Sequence, residues 1–424
     1  MLAYVSSFID RQILSLLVGP IKRDMGLSDT EVSLLMGLSF ALFYTLLGVP
    51  IGRWADRGNR RNIIVLGISV WSLMTAACGA VNTYGQFFLA RIGVGVGEAT
   101  LSPAAYSMLS DYFPKEKLAT AISVYSAGIF LGAGLAVLIG AALISMGGQP
   151  QRVDLPLIGE VFSWQLLFFY IGFPGLLISL LIRLTVREPA RTGLMRTADG
   201  TASQLQFREA MALIGQKKAA FLGVTLGITF VSMVSYAASS WVPTFFVRTF
   251  GWSTGQAGLL YGSLVTVFST AGIITGGRTA DWLTRKGYTD GKLRVGVIAS
   301  SAILLTAFFP LLNDPRLVAL VLIVPCFFCA FPLGAASAAI QEMMPNQARA
   351  FASAVYFLIL NLIALGVGPT LVALCTDYLF GDESAITYSL ALVSALGSLL
   401  GLIFYLRSLR AFRESVASGP ALAI

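Results

Sequence analysis

The sequence contains no histidine, and only 12% of its 424 residues are charged. Without an imidazole, any proton chemistry near neutral pH must run on carboxylates. A water-soluble domain carries about 25% charged residues, so this chain has too little charge to cover a water-facing surface. Cysteine is scarce as well: Cys78, Cys326, Cys329 and Cys375 all sit in or beside apolar runs. Cys326 and Cys329 have the spacing of a metal or redox pair, but further ligands and an aqueous setting are missing, so they read as packing residues. No metal or other cofactor is expected. The apolar start lacks a basic n-region and a small-residue cleavage site, which argues against a secretory signal. It reads as the interior of a first span, with room for natural sequence upstream of Met1.

What is present is apolar length. Hydrophobic residues make up 56% of the chain, and the mean hydropathy is +0.79. Runs of 18 or more apolar residues recur throughout, and each is a candidate membrane helix. Barrel strands alternate over short segments, so a β-barrel is disfavoured. The spans fall at 1–19, 33–52, 62–81, 84–110, 118–146, 164–184, 219–247, 257–278, 294–312, 316–341, 348–374 and 386–407. This predicts an all-α membrane protein of twelve transmembrane helices. A six-helix bundle over 1–186 and another over 218–424 are joined by a polar, basic linker at 187–217. In that linker Phe207, Met211 and Ile214 share a helical face opposite Arg208, Glu209 and Lys217. The pattern fits a short surface helix or a plain connection.

Net charge is +8, and its distribution follows membrane topology rather than nucleic-acid binding. With a cytoplasmic N-terminus, 22 Lys and Arg residues fall in inside segments and 5 in outside segments. Basic residues concentrate on the cytoplasmic side, so both termini and the linker are expected there.

The two halves repeat. A shift of 225 places Gly26, Ser28, Glu31, Leu34, Leu35 and Gly37 on Gly251, Ser253, Gln256, Leu259, Leu260 and Gly262. In the same register, Gly52, Arg53, Ala55, Asp56, Arg60 and Arg61 fall on Gly277, Arg278, Ala280, Asp281, Arg285 and Lys286. Ser28 with Glu31 and Ser253 with Gln256 are both capping boxes. A register held through a cap, a span and a charged loop points to two homologous bundles with a substrate site between them.

The stretch Gly52-Arg53-Trp54-Ala55-Asp56-Arg57-Gly58-Asn59-Arg60-Arg61, with its weaker copy from Gly277 to Lys286, resembles the loop 2–3 signature of the major facilitator superfamily. Within that superfamily the chain is similar to the Spinster family. The residues that carry this likeness are Phe8-Ile9-Asp10-Arg11, the run from Arg91 to Ala99 through Gly93, Gly95, Gly97 and Glu98, and Ser102-Pro103. The resemblance implies a secondary transporter with an Asp-Arg pair in helix 1 and an Arg with a Glu in helix 4. It also implies proton coupling and, from animal members, a lysophospholipid or sphingosine-phosphate-like substrate. The chain looks bacterial, which implies the inner membrane. Its expected partners are a small-molecule or lipid substrate, protons and membrane lipids, with a monomer as the working unit.

Four charged residues fall deep in apolar spans: Asp10, Arg11, Arg91 and Glu98. Charge inside a membrane is costly and marks function by default. Their charges cancel, so two ion pairs are expected, Asp10 with Arg11 and Arg91 with Glu98. A carboxylate whose arginine partner changes with conformation changes its proton affinity too, which is what coupling requires. Glu98 is expected to carry the proton, with Asp10 second; the glycines around Glu98 would leave room for water. Either arginine could hold an anionic head group, and a static clamp of helix 1 on helix 4 is the bland alternative. In the second half Asp10 and Arg11 map to Ser235 and Tyr236. Substrate contacts are therefore sought in Arg11, Tyr236, Ser239, Ser240, Trp241, Gln341 and Asn361. A cytoplasmic gate is expected from Gly52, Asp56, Arg57, Arg60, Arg61, Gly277, Asp281 and Arg285, with Asp56 near Asn346 and Asp281 near Lys117. Gly93, Gly95 and Gly97 imitate a nucleotide loop only in spacing, and in a span they let helices approach. The competing function is proton-coupled symport of a small organic anion such as a sugar acid. An enzyme is disfavoured, since no nucleophile motif or metal cluster offers catalytic chemistry.

Overall fold

The computed structural model describes residues 1–113, 115–146, 152–155, 159–190, 207–344 and 346–417. Helices occupy all twelve expected positions. Segment 1 is Leu2–Gln12 with Leu14–Met25, segment 2 is Asp29–Met36 with Leu38–Arg57, and segment 3 is Arg60–Cys78. Segment 4 is Tyr84–Glu98 with Leu101–Tyr112, followed by segment 5, Lys115–Met146, and segment 6, Ser163–Thr185. Segment 7 is Lys218–Phe250, and segment 8 runs from Thr254 to Arg285 through a π-helical turn at Val265–Ser269. Segment 9 is Gly291–Thr306, and segment 10 is Pro315–Ala330 with Leu333–Met343. Segment 11 runs from Asn346 to Phe380 with π-helical turns at Asn361–Val367 and Cys375–Phe380, and segment 12 is Ile386–Ala417.

Among the described residues, ten of these segments are long and apolar enough to cross a membrane. Segment 4 is split at Ala99–Thr100 into helices of 15 and 12 residues, and segment 5 contributes the apolar stretch Tyr125–Gly140. One element departs from an all-helical reading. Arg152–Leu155 and Gly159–Phe162 pair as an antiparallel hairpin between segments 5 and 6.

The repeat extends to backbone conformation. Gly26 and Gly251 both adopt φ +67°, a left-handed geometry that glycine enters without Cβ strain. Two residues later, Ser28 and Ser253 each accept from the backbone N–H three residues on, and Glu31 and Gln256 return the bond. Each half thus ends one helix and starts the next with the same device.

Packing groups the residues into two compact units. One comprises Met1–Ala190, Ala237–Thr266 and Gly366–Ser389; the other comprises Arg191–Tyr236, Val267–Leu365 and Leu390–Ile424. In the first unit, segment 3 packs along segments 4 and 6 around the buried rings of Trp71, Phe87 and Phe168. Glycines set the spacing there. A Cβ on Gly95 would lie 2.8 Å from the Phe40 carbonyl oxygen, and one on Gly97 would lie 2.6 Å from the Trp71 nitrogen. In the second unit, Ala280, Leu283, Val295, Ala299, Phe331 and Ala335 form a core joining segments 8, 9 and 10.

The second unit also holds the short helix Phe207–Gln216. Ile214 is buried and Met211 is 42% exposed; residues 191–206 and the Phe207 side chain lie outside the described residues. Just after this helix, Lys217 Nζ donates to the carbonyls of Met343 at 2.9 Å and Ser415 at 3.0 Å. Both carbonyls lie at helix C-termini, where the dipole favours a cation.

Candidate transport site

The four intramembrane charges meet in the first unit, where segments 1 and 4 are both interrupted. Segment 1 breaks at Ile13, just after Asp10 and Arg11. The first helix of segment 4 ends on Glu98, and Pro103 has no N–H to offer the carbonyl of Ala99. Helix interruptions in a membrane are tolerated where they line a cavity or are buried in protein.

The pairing differs from the two-pair expectation. Arg11 is ion-paired with Glu98 rather than Asp10: its Nε donates to Glu98 Oε2 at 2.6 Å, its Nη2 lies 2.6 Å from the same oxygen, and Ser7 Oγ donates to that oxygen at 2.6 Å. Neighbouring residues on a helix point about 100° apart, so Asp10 and Arg11 face different ways. Arg91 and Glu98 are seven residues apart, about 10 Å along the axis, too far for an ion pair. Arg91 instead donates to backbone oxygens, Leu35 at 3.2 Å and Asp10 at 3.3 Å. It therefore fastens segment 4 to segments 1 and 2.

Both carboxylates keep unused capacity. Glu98 is enclosed, and its Oε1 has no hydrogen-bond partner among the described residues. Among the described residues no hydrogen bond of normal geometry reaches either Asp10 oxygen, and Thr75 supplies the hydroxyl that faces it. Segments 2 and 3 pack closely on the glycines beside Glu98, Phe40 at Gly95 and Trp71 at Gly97.

Aromatic rings surround Arg11. Its guanidinium carbon lies 4.7 Å from the Phe8 ring centroid, 4.4 Å from Phe40 and 4.8 Å from Tyr44. These are cation–π distances. Sequence reasoning missed Ser7, Phe8, Phe40 and Tyr44. Ser7 and Phe8 lie four and three residues before Arg11, on its helical face, and Phe40 and Tyr44 are themselves one turn apart; that spacing was the available signal.

The second-half residues have mixed settings. Tyr236 is half-buried. Ser239 lies 3.2 Å from the Tyr261 hydroxyl, and Ser240 is buried. Trp241 is fully enclosed, its indole N–H donating to the Pro369 carbonyl at 2.9 Å, so it packs segment 7 on segment 11. Asn361 opens a π-helical turn and donates to the Phe357 carbonyl at 2.9 Å, and Gln341 is exposed.

In the loop signature, Gly52, Asp56 and Arg57 lie on the helix Leu38–Arg57 with side chains outside the described residues, as are those of Lys117 and Asn346. Arg60 is buried and pairs with Asp111 and Glu188. It also donates to Ser107 Oγ at 2.9 Å and to the Pro189 carbonyl at 3.0 Å. The Arg61 backbone N–H donates to Glu188 at 2.8 Å. Partial burial pushes the Glu188 carboxyl up, but the Arg61 N–H and the Arg60 guanidinium outweigh it and hold the group below the ordinary carboxylate range. Arg60 thus fastens the ends of segments 3 and 4 to the chain leaving segment 6. Gly277, Asp281 and Arg285 lie on the last helix of segment 8, with Asp281 and Arg285 exposed.

Comparison with known proteins supplies the family. The family model for the Major Facilitator Superfamily matches residues 1–369. An MFS-type efflux pump of Mycolicibacterium smegmatis is 29% identical over 420 residues, covering 97% of this chain and 91% of that protein. A probable L-galactonate transporter of Escherichia coli is 26% identical over 294 residues, 69% of this chain and 62% of that protein. The crystal structure of a bacterial homolog to the human lysosomal transporter Spinster, inward-facing and unoccupied, superimposes with a TM-score of 0.81 at 28% identity. That match covers 100% of this chain and 97% of the solved one. With the repeated caps, the interrupted helices and the loop signature already in place, the chain belongs to the Major Facilitator Superfamily.

Proposed function

We propose that the chain is a proton-coupled transporter of an organic anion, working by alternating access in a bacterial inner membrane with both termini cytoplasmic. The observation that carries this is the state of Glu98. One of its oxygens holds Arg11 and Ser7, and the other is enclosed and has no hydrogen-bond partner among the described residues. A proton on Glu98 would weaken its hold on Arg11 and free the guanidinium for an anion. An anion on Arg11 would in turn favour a protonated Glu98. Binding of the two is then mutually favourable, as coupling demands. Asp10, enclosed beside the same helices, is a second proton carrier, and Arg91 holds the helices in register.

The rings of Phe8, Phe40 and Tyr44 around Arg11 support an anion with an apolar body, such as a lysophospholipid or a sphingosine-phosphate-like lipid. Similarity to a probable L-galactonate transporter supports the second reading, a small organic anion such as a sugar acid. Tyr236, Ser239, Ser240, Gln341 and Asn361 would then meet its hydroxyls. The cytoplasmic gate is assigned to the two loop signatures, with Asp56 and Asp281 at its contacts.

Proteoliposome uptake tests this reading. Lysophospholipids, sphingosine phosphate and sugar acids would be supplied singly under an imposed pH gradient, with parent and Arg11→Ala protein. The expected result is gradient-driven accumulation of at least one anion by the parent and none by Arg11→Ala. Uptake indifferent to both the gradient and Arg11 would overturn the proposal.

A further inference from the structure

At the end of the first unit that carries the loop signature, two guanidinium groups converge on one uncharged oxygen. Arg183, in the last turn of segment 6, donates to Asn62 Oδ1 at 2.5 Å. Arg61, in the first turn of segment 3, reaches the same oxygen from Nε and Nη2, both at 3.3 Å. Its Nη1 lies 3.4 Å from the Val186 carbonyl oxygen. Among the described residues, neither arginine is ion-paired with a carboxylate. Glu188 is already engaged, because Arg60 holds it and the Arg61 backbone N–H donates to it. Arg187, just before it in the chain, is a further cation and is exposed.

Local roles do not account for this meeting. Arg183 answers the dipole at the C-terminus of its own helix. Arg61 stands at a helix N-terminus, where the dipole disfavours a cation, and that first turn contains no acid. Membrane topology asks only that basic residues lie on one side; it does not ask two of them to share a neutral acceptor. Like charges converge at a cost, which an anion would offset. A guanidinium fork matches the oxygens of a phosphate, and each carries five N–H donors, more than Asn62 and Val186 can occupy.

The surface next to the pair is apolar. Segments 3 and 6 stay in contact farther along, where the Ser69 and Ser179 hydroxyls lie 2.8 Å apart. Their outer faces carry exposed leucines, Leu66 and Leu73 on segment 3 and Leu177, Leu180 and Leu184 on segment 6. Leu66, one turn from Asn62, also borders a groove of about 400 Å³ whose walls include Leu47, Pro50, Trp54 and Val70. Trp54 is exposed, and tryptophan is favoured where hydrocarbon meets headgroups. A paired cation beside an apolar groove is the complement of one molecule: an anionic head on a hydrocarbon chain.

We propose that this corner binds an anionic phospholipid of the surrounding bilayer, with its phosphate on Arg61 and Arg183 and an acyl chain in the groove between Leu66 and Trp54. The lipid is a resident ligand and not cargo. The groove also reaches Thr100, whose hydroxyl donates to the Gly97 carbonyl at 2.8 Å. A seated chain therefore braces the break in segment 4 that follows Glu98. Anionic lipids give the cytoplasmic leaflet its negative surface, and the choice of that leaflet rests on the orientation proposed above.

Fluorescent dioleoylphosphatidylglycerol, titrated into full-length protein in detergent, reads the site without transport or orientation. The parent should bind it saturably and about tenfold more tightly than phosphatidylcholine of the same chains. A basic residue at a membrane surface contributes about a factor of five. Arg61→Gln and Arg183→Gln should each weaken binding about fivefold, and the double change about 30-fold. Arg316→Gln removes an exposed arginine of the second unit, and Arg11→Ala removes the anion site of the transport path; both should leave the affinity unchanged. Arg183 is exposed, so its single change keeps the test decisive if Arg61→Gln fails to fold. Equal affinity for the two lipids, or an equal loss in Arg316→Gln, would overturn the site. Loss in Arg11→Ala alone would make the lipid cargo and overturn it as well. Competition by glycerol phosphate at the same concentration as the lipid would give the cations to a soluble anion and overturn the lipid occupant. None of these failures touches the proton-coupled reading, which the uptake assay tests separately.

Discussion

Glu98→Gln separates proton coupling from binding. The change preserves side-chain length and an acceptor oxygen, so Ser7 and Arg11 can still donate to the position they now hold at 2.6 Å. It removes the negative charge and the capacity to take a proton on Oε1, which has no hydrogen-bond partner among the described residues. Weakening two charge-assisted bonds to neutral ones costs about 1–3 kcal/mol, small enough for the fold to persist. The effect on transport is larger. Each pH unit supplies about 1.4 kcal/mol per proton, a factor of ten, so a gradient of about two units supports roughly 100-fold accumulation at one proton per substrate. The variant should bind and exchange substrate across liposomes at equal concentrations, yet reach an accumulation ratio of about 1 under that gradient. Labelled-substrate counterflow and gradient-driven uptake, measured on one preparation, give the two numbers. If Glu98→Gln accumulates substrate as the parent does, the proton is carried elsewhere and the Arg11–Glu98 pair is a structural clamp.

Further expectations concern the loop signature and orientation. Arg60→Ala removes the guanidinium shared by Asp111 and Glu188 and should lower stability by about 3 kcal/mol, read as a large fall in the melting temperature in detergent; a fall no larger than that of an exposed loop substitution would refute the clamp. Glu188 has a folded pKa below its unfolded value of about 4.3, so its contribution is present above that value and lost as pH falls through the folded pKa. Replacing it with glutamine should flatten the acid side of the stability profile by at most about 1 kcal/mol, and parallel profiles for parent and variant would count against it. A cysteine at Ser203, in the linker, should react with an impermeant reagent only after spheroplasts are permeabilised, and labelling in intact spheroplasts would reverse the assigned orientation.

Much of the architecture was legible because membrane burial leaves strong marks on a sequence. A helix satisfies its own backbone, so apolar length alone located the segments. The 225-residue repeat located matching ends, and Gly26 and Gly251 share one dihedral because each ends its helix in the same left-handed turn. Composition likewise singled out Asp10, Arg11, Arg91 and Glu98, since charge is rare where water is absent. Partnership was not legible. Whether Arg11 meets Asp10 or Glu98 depends on the azimuth of segment 1, set by its packing on segment 5, where Gly128 and Gly132 meet Tyr4, Val5 and Phe8, rather than by any local preference. Trp241 looked like a lining residue and is enclosed, because only the approach of segment 11 gives its indole N–H the Pro369 carbonyl. Asp29 looked like an ordinary first-turn acid. Its partner Arg248 lies 219 residues away, and sequence separation conceals a contact that only the packed chain can bring about.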